Sequence, residues 1–508
     1  MTLRCDAFDQ QVGLTNEPLT ALETKQIRER LYTRRNQILG TDNSLKHRQG
    51  GNHAELSEDR DQILALINRY EIALAPHKQL PTELLQRVFH HVCEGYDQGS
   101  PRIQDPPLLL CRISSYWRTT AINMPELWKS LHMSTDMSHT RTQKLKLARM
   151  WFARAGNLPL SLTLSDTQND FSGPVDFVSR LIAPFSRNFR YLYLVLQHPQ
   201  VAALFSLPTG SLDALEEFHV VYYLITTAVP PPPWQAPITL FSPAARLRRL
   251  RIHLTPLVVP RIFTLPWHRL ESFRCDSSIQ SEDCHELFVS CQTLQKIHVR
   301  IFGIKYSSPS QVEISLLNLI SLSVQLCDQE NYDLFFLPLV APSLRSLLIF
   351  NYHGLPWSPG MYSGLLERSR CELVDIYLGT MDMEAGDVLR FFESTPAIES
   401  ITLSHNTFIP PVIYHKIGQG EVGRSLVQFF LKGTRELDPL LSMLETRLQN
   451  FPMITSEHGM QITTSPLKFI ETYSVPEEVT AHDSRIQQLR NTGVGISLLQ
   501  SAEGYFHL

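Results

Sequence analysis

The sequence predicts an α/β chain in which N-terminal helices lead into a curved solenoid built on a parallel β-sheet. Three observations predict it. From Leu158 onward, short apolar segments of the form LxxLxL recur at near-constant spacing, which is how a stacked repeat reads in sequence. Before them, apolar residues recur at three- and four-residue intervals, the period of a helix. Of the 508 residues, 43% are hydrophobic and 19% charged, close to the usage of chains that bury a core.

The first 78 residues read as a helical hairpin or short coiled coil. A charged helix around Thr20–Leu39 carries Ile27, Leu31 and Ile38 on a thin apolar stripe, and a polar linker, Gly40–His53, follows it. In the second helix Ile63, Ile67, Tyr70 and Leu74 line one face. The basic run KQIRERLYTRR is interleaved with Glu23 and Glu29 and reads as a solvated helix face.

Residues 79–133 form the next block. In Leu80-Pro81-Thr82-Glu83-Leu84-Leu85 the proline opens a helix where its missing N–H costs least. Leu84, Leu85, Val88, Phe89 and Val92 follow on one face of it. After a loop, a second helix is expected from Leu108, with Leu109, Ile113 and Trp117 at four-residue spacing, until Pro125 stops it before Leu127 and Trp128. A block this short folds alone only marginally, so a partner covering its apolar face would help.

The run LPTELLQRVFHHV … LLLCRISSYWRTTAINMPELWKSL resembles the F-box, whose skeleton is LPxELL…IF, then CxxWR, then a PxLW ending. With its helical prefix, the chain resembles the expanded F-box families of mushroom-forming fungi. The resemblance implies a non-catalytic, substrate-recognition subunit of an SCF-type cullin–RING ubiquitin ligase, held by a Skp-type adaptor. It implies adaptor contact through Leu80, Pro81, Leu84, Leu85, Val88 and Phe89. Ile113, Trp117, Leu127 and Trp128 would hold the helices together or extend that contact. One departure is visible: the cysteine usual three residues before the tryptophan is Ser114, with Cys111 displaced upstream.

A linking helix is expected over 134–157, and the repeat array over 158–508. Its segments are PLSLTL, FRYLYL, LEEFHV, LRRLRI, LESFRC, LQKIHV, LISLSV, LRSLLI, LVDIYL and IESITL, the last running on to Ser404-His405-Asn406. Their starts, from Pro159 to Ile398, fall 30, 26, 32, 23, 24, 25, 25, 29 and 25 residues apart, mostly within the range of leucine-rich-repeat-like units. LVQFFL and LKFIET read as weaker additional units. Helices are expected between strands at Glu282–Ser290 and Ala385–Glu393, and one at Ser484–Asn491 capping the array. No unit can bury its strand alone, so stacking makes one core and leaves an extended face for binding a target protein.

Alternation along each strand puts the second apolar residue of the motif, such as Leu347, in the core, and the residues flanking the last one on the open face. Read strand by strand, those residues are His219 and Val221, Arg251 and His253, Arg274 and Asp276, His298 and Arg300. Ser323 and Gln325, Leu348 and Phe350, and Tyr377 continue the row. This predicts a basic, histidine-rich strip beside an apolar, aromatic patch, suited to a target with acidic or phosphorylated residues next to a hydrophobic anchor. A merely solvated face is the plain alternative.

Other chemistry is weakly supported. The net charge of −4 gives no push toward nucleic acid or an anionic membrane. The start MTLRCDAFDQQVGLTNE has no apolar core of a secretory signal, and no apolar run reaches membrane-spanning length. The eight cysteines are scattered without CxxC spacing, which argues against a disulfide framework and points to an intracellular chain, cytoplasmic or nuclear. Cys284, His285, Cys291 and His298 lack the paired spacing of structural zinc. Gly418-Gln419-Gly420-Glu421-Val422-Gly423 spells GxGxxG, but prolines precede it and a strand follows it, so it reads as a turn. Pro230–Pro233 with Trp234 reads as a rigid insertion. No cofactor or metal is expected. A non-degradative scaffold, or an enzyme whose site the sequence hides, stay open as alternatives.

Overall fold

The computed structural model describes the chain apart from residues 1–7, 10–11, 13, 15–18, 48–52, 79, 95–98, 135–140, 166–175, 223–236, 243, 255–261, 305–312, 328–331, 352–353, 380, 405–406, 433–436, 452, 456–460, 464–466, 475 and 501–508. Pro230–Pro233, Trp234, His405 and Asn406 lie outside the described residues. The chain divides into two units, Met1–Phe189 and Arg190–Leu508.

In the first unit, helices α1 (Ala21–His47) and α2 (His53–Ala73) pack against each other. Thr20 and Glu23 close a reciprocal cap at the start of α1: the Glu23 N–H donates to the Thr20 hydroxyl at 3.2 Å and the Thr20 N–H to the Glu23 carboxylate at 2.8 Å. Ile63, Ile67 and Tyr70 are buried as their spacing predicts, and Leu74 is partly buried beside them. The expected linker is shorter than read, because α1 runs through Gly40 to His47; one glycine costs a helix only about 1 kcal/mol. A feature the sequence reading missed lies at Asp9. Its carboxylate accepts from Arg30 at 2.6 Å, from Arg34 at 3.3 Å and from the Tyr70 hydroxyl. Burial first, and then the Asp9 carboxylate, push the Tyr70 phenol up to about 12.

Helix α3 (Thr82–Glu94) starts directly after Pro81. The single helix expected from Leu108 is two, α4 (Leu110–Ile113) and α5 (Ser115–Ile122). Ser114 between them is extended, and its hydroxyl accepts from the Trp117 N–H at 3.1 Å. The serine standing where a cysteine was expected therefore breaks one helix by capping the next. A short turn at Pro125–Trp128 leads into strand β1 (Ser130–Ser134), helix α6 (Arg141–Ala155) and strand β2 (Leu160–Ser165), and the two strands pair in parallel. The β1 strand falls inside the block read as helical.

The second unit is a large parallel sheet. Its strands are β3 (Phe189–Leu196, entering from the first unit), β4 (Glu217–Tyr222), β5 (Arg249–His253), β6 (Ser272–Gln280), β7 (Lys296–Phe302) and β8 (Ser321–Leu326). They continue as β9 (Ser346–Phe350), β10 (Asp375–Leu378), β11 (Ser400–Leu403), β12 (Gln428–Leu431), β13 (Phe469–Ser474) and β14 (Gly495–Gln500). Each pairs with the next in chain order. Every LxxLxL segment forms a strand, and from LEEFHV to LKFIET the strand starts at the third residue of the motif.

The pairing repeats at the same motif position. Phe218, Leu250, Phe273, Ile297, Leu322, Leu347, Ile376, Ile401, Phe429, Ile470 and Ile496 are consecutive partners, and all are buried. Helices between the strands cover this row. In Ala385–Ser394, Val388, Phe391 and Phe392 are buried at helical spacing, and the Phe392 ring lies 6.4 Å from that of Phe429. The helix at Asp483–Asn491 does not end the array as expected, since β14 follows it. That strand went unread because Gly493 stands where the motif carries its first leucine.

Leu347→Ala should cost about 2–5 kcal/mol, as a fully buried side chain flanked on both sides by the same row. Ser346→Ala should cost about 1 kcal/mol or less, losing one 2.9 Å hydrogen bond to Asp375. Denaturant unfolding of both variants checks this; equal losses would mean the register is misassigned.

Candidate functional site

The residues singled out by sequence lie on two surfaces, one in each unit. In the first, α3 separates its apolar residues into two stripes offset by one position. Leu85 and Phe89 are fully buried, and the Phe89 ring sits 5.1 Å from Trp117, itself half-buried. Leu84 and Val88, 45% and 39% exposed, continue to exposed Val92 on the other side. Pro81 is exposed, Leu80 half-buried, and Leu109 and Ile113 are exposed on the segment that follows. Leu127 and Trp128 are buried. The Trp128 indole N–H donates to the Ala121 carbonyl at 2.8 Å, its ring meets Trp151 edge-on at 4.8 Å, and the Arg154 guanidinium lies over it at 4.3 Å. Of the six residues the resemblance assigns to adaptor contact, Leu85 and Phe89 lie in the core of this block, whereas Pro81, Leu84 and Val88 face solvent; of the four expected to hold the helices together or extend that contact, Leu127 and Trp128 are buried, Trp117 is half-buried and Ile113 is exposed.

The open face of the sheet in the second unit carries the other set. His219, Arg251, Arg274, His298, Ser323, Leu348 and Tyr377 are consecutive register partners. The alternation argument placed them in one row, and the pairing does so. Val221 and His253 pair in the next row of the early strands, and Arg300, Gln325 and Phe350 in that of the later ones.

The strip is not simply basic. A bulge in β6 leaves Asp276 and Ser277 without partners, since Cys275 pairs with Val299 and Ser278 with Arg300. Ser277 is buried, and its hydroxyl accepts from the Leu254 N–H and donates to the Leu254 carbonyl, both at 2.7 Å. Asp276 gathers three side chains: Arg274 at 2.8 Å, Arg251 at 3.0 Å and His298 Nε2 at 3.2 Å. Burial alone would raise its carboxyl, but the hydrogen bond from His298 and the charges of Arg274 and Arg251 hold it far below the usual range. Beside it, Glu217 meets His219 at 3.0 Å and Arg249 at 2.8 Å. The expected basic strip is a network organised around carboxylates, because alternation assigns a face but not the pairings across it.

His298 also meets the Ser323 hydroxyl through Nδ1 at 2.8 Å, so serine, imidazole and carboxylate stand in sequence. Beyond it the face turns apolar. The Phe350 ring lies 6.0 Å from His298 and 6.3 Å from Tyr377. Lys432, which the sequence reading missed, lies 4.9 Å over the Tyr377 ring and donates to its hydroxyl at 2.5 Å.

The glycine motif ends a helix rather than opening one. Pro411–Gln419 terminates at Gly420, whose φ of 74° is left-handed. Buried Arg447 donates to the carbonyls of Ile417 at 2.7 Å, Gly423 at 3.0 Å and Arg424 at 2.7 Å. A cation on the carbonyls at and after a helix end is the reverse of a phosphate cradle, which needs N–H groups. Cys284 and Cys291 are buried thiols, and the His285 ring stacks on Phe335 at 5.1 Å. Among the described residues no group of three or more His, Cys, Asp or Glu is placed to hold a metal ion, and no helix is long and apolar enough to cross a membrane. No protein-family model matches the chain, and no curated protein matches it.

A carboxyl depressed in the folded state stabilises it above its unfolded value near 4 and loses that contribution as the pH falls below it. Asp276→Asn should therefore cost about 1–3 kcal/mol at pH 7 through weakened charged hydrogen bonds, and the gap to the parent should narrow from pH 4 toward 2. Thermal unfolding across that window measures it; a constant gap would count against this network as the cause.

Proposed function

We propose that the chain is a substrate receptor of an SCF-type cullin–RING ubiquitin ligase, binding a Skp-type adaptor through its F-box-like block and a target protein through its second unit. The observation that carries this reading is the stripe of Leu84, Val88 and Val92 on α3, exposed while Leu85 and Phe89 on the same helix are wholly buried. An aliphatic stripe left in water next to a complete core marks an interaction site. It falls in the LPTELLQRVFHHV run that resembles the segment through which the F-box family meets its adaptor.

The second unit supports the other half of the reading. From β4 on, one strand recurs every 23 to 32 residues up to β12, in register, with α-helices between most of them. A leucine-rich-repeat-like solenoid has this organisation, and such arrays use their continuous sheet face to bind proteins. We read the Ser323, His298, Asp276 sequence as part of that binding face. Ser323 sits mid-strand between β7 and β9, where backbone N–H groups serve the sheet ladder rather than converge as an oxyanion site. The free thiols at the seven described cysteines suit a reducing, intracellular compartment.

Leu84→Lys with Val88→Lys should abolish co-purification of a Skp-type adaptor, because charge would enter a contact that is dry when formed. Circular dichroism and the unfolding midpoint should stay near those of the parent, as both side chains face solvent. Phe89→Lys, by contrast, should unfold the block. Undiminished adaptor capture by the double variant would refute the mapping. Loss of adaptor capture without any change in target half-life would favour a non-degradative scaffold.

A further inference from the structure

We propose that the helical hairpin of the first unit is a self-association surface, on which a second copy of the chain lays its α1 against α2 to make a four-helix bundle. The inference goes beyond the receptor reading and does not depend on it.

The first observation is that each helix of the hairpin carries a second stripe besides its buried one. On α1, Lys25, Arg28, Tyr32, Arg35 and Leu39 recur at alternating intervals of three and four, and all are exposed. On α2, Ser57, Asp61, Leu64, Asn68 and Glu71 recur in the same way and are exposed too. This is the spacing of helices that pack along their length. Tyr32 is 71% exposed, Leu39 63% and Leu64 38%, so the apolar members of the stripes stand in water. The two stripes adjoin on one side of the hairpin, since Arg35 of the first donates to Glu71 of the second at 2.7 Å. Further along, Arg60 donates to Asp42 at 2.9 Å. Antiparallel helices step together, so Leu39, between Arg35 and Asp42, stands level with Leu64, between Glu71 and Arg60.

The second observation is charge. The α1 stripe is basic, with Lys25, Arg28 and Arg35 and no acid, whereas the α2 stripe is acidic, with Asp61 and Glu71 and no cation. The stripes complement each other, but within one hairpin they lie side by side and cannot face. A two-fold axis parallel to the helices brings them face to face twice, α1 of each copy on α2 of the other. That is the self-complementarity an isologous interface needs. Leu39 of each copy then lies over Leu64 of the other, and the cations of α1 meet the acids of α2. An axis across the helices would instead set α1 on α1, cation against cation, which is disfavoured. The area is sufficient. Helix α2 has 21 residues, about 31 Å of length, and two helices side by side span about 20 Å. Each copy would bury about 600 Å² and the pair about 1,200 Å², where specific interfaces begin.

The test is sedimentation velocity of the full chain over a range of concentrations, where the expected mass is that of two chains. Tyr32→Glu with Leu39→Glu should raise the dissociation constant more than about tenfold, because acids would then face Asp61 and Glu71. Circular dichroism and the unfolding midpoint should stay near those of the parent, as both side chains are exposed. Two charge variants fix the arrangement. Lys25→Glu with Arg28→Glu sets acid against acid, and Asp61→Lys with Glu71→Lys sets cation against cation, so each alone should sediment as one chain. Losing the ion pair of Glu71 with Arg35 costs the hairpin little, since both side chains are exposed. An equimolar mixture of the two variants should sediment as two chains, because every α1 then finds an α2 of opposite charge. A parent that stays a single chain would leave the stripes to solvent or to a different protein and overturn the proposal. Pairing that survives Tyr32→Glu with Leu39→Glu, a charge variant that pairs alone, or a mixture that does not pair would overturn it equally. Neither adaptor nor target enters the assay, so its outcome bears on self-association alone and leaves the receptor reading to its own test.

Discussion

The structure of the second unit depends on one constraint: parallel strands must meet at the same position of their motif. Strand side chains alternate with a period of two, so a slip of one residue would turn every buried side chain outward. The row from Phe218 to Ile496 satisfies the constraint at every pairing between β4 and β14. The first motif leucines, such as Leu270, Leu294, Leu319 and Leu344, add a second buried layer at the strand entrances. Because the inward row buries hydrophobic side chains while the backbone ladder joins the strands, the outward rows are left to carry polar and apolar groups of different kinds. That separation allows Arg, His, Ser, Leu and Tyr to follow one another on adjacent strands.

The first unit solves a different problem with little material. Helix α3 must supply a core and a free face within thirteen residues. It does so by placing its two largest buried groups, Leu85 and Phe89, one turn apart beside Trp117. The Trp128 ring, fixed by its bond to Ala121 and enclosed by Trp151 and Arg154, holds the end of the block. With Leu85 and Phe89 taking the buried stripe, Leu84, Val88 and Val92 are left on the exposed one.

Periodic features were legible in the sequence, and contacts between distant polar groups were not. The LxxLxL pattern located β2 to β13 because burial repeats with the motif. It missed β1, which carries Leu131 and Met133 outside any motif, and β14, where Gly493 replaces the leading leucine. Alternation placed His219, Arg251, Arg274 and His298 on one face, yet gave no hint that a two-residue bulge would bring Asp276 among them. Likewise Asp9 meets Tyr70 across 61 positions of sequence, and Arg447 reaches the carbonyl of Ile417 across 30. Such pairings arise from tertiary geometry, which local pattern does not encode. Ser114 is the exception: a serine three residues before a buried-facing tryptophan is a legible helix start, masked here by the expectation of one continuous helix.

In the outward row from His219 to Tyr377 each strand contributes one residue, and the stretch from one strand start to the next is 23 to 32 residues there. Duplicating or losing one such stretch would insert or remove one column of the face while every remaining core contact found an equivalent neighbour. The distance between the arginine cluster and the aromatic wall is thus adjustable only in whole steps of about 4.8 Å. Point substitutions alter the chemistry of the face; changes in repeat number alter the spacing of its groups. Divergent copies of such a chain could sample spacing and chemistry independently, with the hydrophobic interior indifferent to both.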